Sequence, residues 1–152
     1  ENGVSPLFMA CQNGDAVFAR LLLEKGADVN KARNDGSTPL VLSCHLGRVD
    51  LVSLLLEKGA SVDKSMDDGA SSLILACQSG RVGIARLLLE NGADVNEANN
   101  DGFSPLHIAC RKGSLDVAAL LLEKGAVQQP DKKGASPLYV ACQEGHVAIA
   151  RL

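Results

Sequence analysis

The sequence predicts an all-α solenoid, a stack of helix-turn-helix units from which hairpin-like finger loops project. Three observations predict it. First, Asn2-Gly3-Val4-Ser5-Pro6-Leu7 returns as Asp35-Gly36-Ser37-Thr38-Pro39-Leu40, and again from Asp68, Asp101 and Lys133. The glycines of this phrase fall at 3, 36, 69, 102 and 134, spacings of 33, 33, 33 and 32, and a fixed period of that length marks a repeat array. Second, a run from Leu21 to Ala27 recurs in register from Leu54, Leu87 and Leu120. Third, aromatic residues make up 3% of the chain and Trp is absent, so Leu, Ala and Val must fill the core. Side chains of that size suit close helix packing.

The period divides one domain, 1–152, into repeats 2–34, 35–67, 68–100 and 101–132 and a partial repeat 133–152. Each opens on Ser or Thr before Pro, an N-cap followed by a residue whose missing N–H costs nothing at the first helical position. Repeat 3 has Ser71-Ser72 instead, so its helix start is expected to be softer. The first helix is short and ends at Gly14, Gly47, Gly80, Gly113 or Gly145, each placed for the left-handed C′ conformation. A second helix follows at once. In repeat 3 its apolar face is Ile84, Leu87 and Leu88, with Arg86 and Glu90 turned outward. After a second C′ glycine comes a polar stretch such as Ala93 to Gly102, whose Asp-Gly end signals a tight turn. Repeat 4 is one residue short after Gly125, and the finger that follows it is expected to differ in shape.

Composition bounds the rest. Apolar residues at 46% exclude disorder, and a formal charge of −3 gives no long-range pull toward nucleic acid or anionic membrane. No apolar run approaches the roughly 18 residues of a membrane span. No charged-then-apolar leader opens the chain. Five cysteines are an odd count and argue against a fully paired secreted framework. An intracellular, cytoplasmic protein is the expectation. Neither end shows a distinctive polar cap, so a segment of a longer array is expected, with self-association through the raw ends a hazard.

Taken together, these phrases resemble the ankyrin-repeat family. Thr38-Pro39-Leu40 and Ser104-Pro105-Leu106-His107-Ile108-Ala109 match its T-P-L-H-x-A motif, and the Leu-Leu-Leu tails running into Gly-Ala-Asp-Val-Asn match as well. The motif's His occurs only at His107; Phe8, Val41, Ile74 and Tyr139 replace it elsewhere. The resemblance implies a non-catalytic protein-interaction module or scaffold. A partner would dock on the concave side, made of finger tips and exposed first-helix positions. The rival reading is a structural spacer within a longer array, with recognition elsewhere.

The chemical suspects have structural readings. Cysteines 11, 44, 77, 110 and 142 occupy one slot in every repeat. Stacked helix axes lie about 8–10 Å apart, too far for disulfides. They read as small buried hydrophobes. His107 and Cys110 stand at i and i+3, a spacing that could offer two metal ligands, but no other repeat supplies a matching His. As the third helical residue after Ser104, His107 can instead reach back to its cap. His45 and His146 have no acid partner or third orienting group, so no nucleophile-and-base pair is supported. The glycines form no phosphate-binding loop, and nothing calls for a cofactor.

Function should lie where the repeats differ. Carried over from the family, the variable finger positions are Lys31, Arg33, Lys64, Met66, Asn99 and Phe103. The exposed first-helix candidates include His45, Gln78, Arg111 and Lys112. Phe103 is either an interface anchor or a packing residue between fingers. Basic Lys31, Arg33 and Lys64 give way to acidic Asp67, Asp68, Glu97 and Asp101, an alternation that suits a partner of mixed charge and not a nucleic acid. The family also implies that Asn30 and Asn96, in its Asp-Val-Asn slot, are candidates for hydroxylation by asparaginyl oxygenases.

Overall fold

A computed structural model describes residues 3–152; Asn2, which opens the first repeated phrase, lies outside the described residues. Among the described residues ten helices run in five pairs: α1 (Pro6–Asn13) with α2 (Ala16–Glu24), α3 (Pro39–Leu46) with α4 (Val49–Glu57), α5 (Ser72–Gln78) with α6 (Val82–Glu90), α7 (Pro105–Lys112) with α8 (Leu115–Glu123), and α9 (Pro137–Gln143) with α10 (Val147–Ala150). Among the described residues there is no strand, only an isolated antiparallel bridge between Ser65 and Ser71.

Local chemistry starts and stops each pair. Ser5, Thr38, Ser71, Ser104 and Ser136 each accept a hydrogen bond from the N–H three residues on. The first helices end where Gly14, Gly47, Gly80, Gly113 and Gly145 take positive φ, a conformation without a Cβ penalty only for glycine. The expected softer start of repeat 3 does not show in its cap bond: Ile74 N–H to Ser71 Oγ is 3.4 Å, the same length as His107 N–H to Ser104 Oγ in repeat 4. The buried Ser72 hydroxyl has no properly formed hydrogen bond.

The first helices pack as one row and the second helices as another, each touching its neighbours. Contact is denser along the first row than along the second. Leu7, Leu40, Leu73 and Leu106 fill one core slot, and Leu51, Ile84 and Val117 fill another on the second helices. Each such burial stabilises by about 1.5–3 kcal/mol. Val17, Phe18 and Leu21 are exposed in the first repeat, and Leu138, Tyr139 and Val147 in the fifth. Here one expectation is corrected. Cys11, Cys44, Cys77 and Cys110 are buried, but Cys142 is exposed, its slot left open within residues 3–152.

Candidate functional site

Four fingers project beside the first helices, each closed by the same two backbone bonds. In the first, Arg33 N–H donates to Ser37 O and Gly36 N–H to Arg33 O, at 2.9 and 3.1 Å. The expected irregularity of the fourth finger is confined to its rising limb, where the residue is missing. Its tip closes alike, with Asp131 N–H to Ala135 O and Gly134 N–H to Asp131 O. Neighbouring tips are linked: Asp67 N–H reaches Asp35 O, Asn100 N–H reaches Asp68 O and Lys132 N–H reaches Asp101 O, at 3.0–3.3 Å. Gly69 is needed twice over. Its φ is +80°, and a Cβ there would sit 2.7 Å from the Asn100 nitrogen.

Between fingers and first helices runs a groove of about 350 Å³. Its floor takes Leu42, Leu75 and Ile108, one from each successive first helix, with Ile74 and Ala70 beside them. Its walls carry Arg33, Asp35, His45, Asp68, Gln78 and Arg111, with Met66 and Asn99 from the fingers. Six residues singled out by sequence thus meet here: Arg33, His45, Met66, Gln78, Asn99 and Arg111. Lys31 and Lys64 are exposed on the rising limbs and do not line it. Lys112 is exposed as well, but it lies about 100° around the helix from Arg111 and outside the groove.

Phe103 is half-buried. It stands edge-on to the His107 ring, centroids 5.9 Å apart, and the Arg111 guanidinium lies 4.8 Å above its centroid. Arg33 makes the only ion pair among the described residues, to Asp35 at 3.3 Å, and stacks over Phe8 at 5.4 Å. Sequence reasoning missed the floor and Asp35, and it named Asp68 only among the acidic finger residues. Leu42, Leu75 and Ile108 sit three residues before His45, Gln78 and Arg111, one helical turn along the same face, and that offset was the available signal.

His107 is buried and fully engaged. Its Nδ1 accepts from Ser104 N–H at 3.1 Å, so Nε2 carries the proton and donates to Ala135 O at 3.0 Å. The side chain closes a capping box and ties the fourth first helix to the fifth repeat. Burial raises the thiol pKa of Cys44 and Cys77 to about 12 and of Cys110 to about 11, the wrong direction for a nucleophile. The Ser72 hydroxyl beside Cys44 only partly opposes that rise. Among the described residues no group of three or more His, Cys, Asp or Glu could hold a metal ion, and no helix is long and apolar enough to cross a membrane.

Asn30 and Asn96 act as clasps. Each Oδ1 accepts a backbone N–H of the next repeat, from Ser61 at 2.8 Å and Val127 at 3.0 Å, and each Nδ2 faces a carbonyl, Gly59 O and Gly125 O. On the far side a second hollow of about 340 Å³ lies around Gly14, Gly47 and Arg48. A Cβ on Gly14 would sit 3.0 Å from the Arg48 Cζ, so Arg48 closes over the C-terminal end of α1, where a cation is favoured.

A family model described as ankyrin repeats matches the chain in three copies, over residues 1–66 and 73–152. No curated protein matches it.

Proposed function

The chain belongs to the ankyrin-repeat family, whose members are generally protein-interaction modules, and from that premise we propose that it is a non-catalytic scaffold holding a protein segment in its concave groove. The groove itself carries the reading: an apolar floor drawn from three successive helices inside a polar rim, the composition of a site that buries a partner and orients it. Fingers tied tip to tip keep it formed before the partner arrives, which lowers the ordering cost of binding. Four deeply buried, unpaired thiols fit a reducing, intracellular compartment. The apolar faces at the two ends are the surfaces through which the isolated repeats would self-associate. Asn30 and Asn96 would have to leave their clasps to be hydroxylated.

The test is selection from a displayed library of random linear peptides on three immobilised proteins: the native chain, a floor variant (Leu42→Asp, Leu75→Asp), and an outer-helix variant (Arg20→Glu, Arg86→Glu). Circular dichroism first establishes that all three are equally helical. Peptides retained by the native and outer-helix proteins and lost by the floor variant support groove docking. Equal retention by all three moves recognition elsewhere. Retention by none favours a spacer role.

A further inference from the structure

The two arginines of the groove are in different states. Arg33, at its N-terminal end, is neutralised by Asp35 at 3.3 Å. Arg111, at the other end, is exposed and has no carboxylate within ion-pair distance among the described residues. It is nonetheless held in place. Its guanidinium lies over the Phe103 ring, Phe103 leans edge-on against His107, and His107 is fixed at both nitrogens, by Ser104 N–H and by Ala135 O. Stacking occupies the flat face of a guanidinium and leaves its fork of N–H donors free, the geometry that receives a carboxylate through two parallel bonds.

The surroundings say what accompanies that carboxylate. Ile108 lies one turn before Arg111, and Leu75 and Leu42 continue the floor away from it. With Arg33 and Asp35 cancelling, the charges left in the groove are Asp68 on the finger wall and Arg111. Arg111 attracts an acid in the groove and Asp68 repels one, and like charges brought together at an interface are penalised.

We infer that the groove selects a protein segment carrying an acidic side chain that seats on Arg111, followed by apolar side chains that lie along Ile108, Leu75 and Leu42. This rests on the groove-docking reading and specifies its partner's chemistry. Arg111 is the receiving group; Phe103 and His107 position it.

The same random-peptide library, selected in parallel on the native chain and on Arg111→Glu, separates the two claims. Native selection should enrich peptides with an acid beside an apolar cluster, and the charge-reversed protein should enrich a base at that place. The binding of one enriched acidic peptide, followed by fluorescence anisotropy, should weaken about tenfold or more on Arg111→Gln and less on Arg111→Lys, which keeps charge but loses the fork. Replacing the peptide's acid by its amide should cost as much on the native chain and nothing further on Arg111→Gln. Phe103→Leu should weaken it by about threefold, as loss of the stacking shelf predicts. Peptides that bind the floor without acidic enrichment, or pools that are the same on both proteins, would overturn the assignment and leave groove docking standing. An absence of bound peptides on either protein would remove both.

Discussion

Repeats 3 and 4 begin with the same backbone and hold it differently. At Ser104 the start of α7 has Pro105 at its first position and His107 closing the cap, then reaching on to Ala135 O in the next repeat. At Ser71 the start of α5 has Ser72, whose buried hydroxyl lacks a proper partner, and Ile74, whose side chain has no polar atom to reach back to the cap. The ties between repeats differ too, and the junction of repeats 2 and 3 is held by Asn100 Nδ2 to Asp67 O at 2.9 Å and Ser79 Oγ to His45 O at 3.2 Å. Asn30 and Asn96 clasp repeat 1 to 2 and repeat 3 to 4, whereas Asp63 fills that slot between 2 and 3 and has no N–H to offer a carbonyl. Stacking of apolar faces is enough to build each interface. The polar ties decide how firmly it is held.

The largest break should come from His107→Ala. It removes both ties and leaves a cavity, at an expected cost of about 2–4 kcal/mol. Urea unfolding followed by circular dichroism would measure it, and a change under about 0.5 kcal/mol would mean that the box adds little to stacking. Moving the device to repeat 3 sharpens the comparison. Ser72→Pro, Ile74→His supplies the missing ring and a histidine aimed at Phe103 O, the counterpart of Ala135 O; about 1 kcal/mol of added stability is expected. A destabilised double variant would show that repeat 3 is packed around Ile74 in a way the device cannot replace.

Asp63→Asn tests the junction through pH. Glu97 has its pKa raised by partial burial first and then by Asp63 and Asp94. Its folded form therefore holds a proton more tightly than the unfolded chain does. The stability this supplies is complete below the ordinary carboxylate value and is lost as pH rises through the folded value. Asp63→Asn removes one cause and adds a clasp, so melting temperature should rise near neutrality and the loss across that window should shrink. The last finger runs the other way. Asp131 is held below its usual value chiefly by the Ala135 N–H, so its contribution is present above that value and disappears as pH falls through the lowered one. An unchanged pH profile in Asp63→Asn would show that Glu97 does not sense Asp63.

The smallest effect is expected at Gly83, in the first turn of α6, where a Cβ would meet nothing within 4 Å. Gly83→Asp places an acid where α4 and α8 already have Asp50 and Asp116. A gain of about 0.5–1 kcal/mol in urea unfolding is expected.

Most of the fold was legible because each unit's starts, stops and turns are set by residues within four positions of one another. The Ser-Pro caps, the C′ glycines and the Asp-Gly tips all act at that range, and the period then requires identical units to stack. The polar wall of the groove was legible for the same reason, as one position repeated along the helices. The role of His107 could be inferred because a capping box closes over three residues.

By itself, then, the sequence determined the repeat, the helix boundaries, the buried cysteine slot and the family. Only the tertiary structure decided which of two adjacent exposed residues, Arg111 or Lys112, faces the groove. It alone placed Phe103 beneath Arg111 and turned Asn30 and Asn96 into clasps. Helix orientation and coverage come from neighbouring repeats, and the clasp bonds join residues 29 to 31 apart in the chain. No local pattern encodes which surface a neighbour will cover. Close packing of one apolar face on the next decides that.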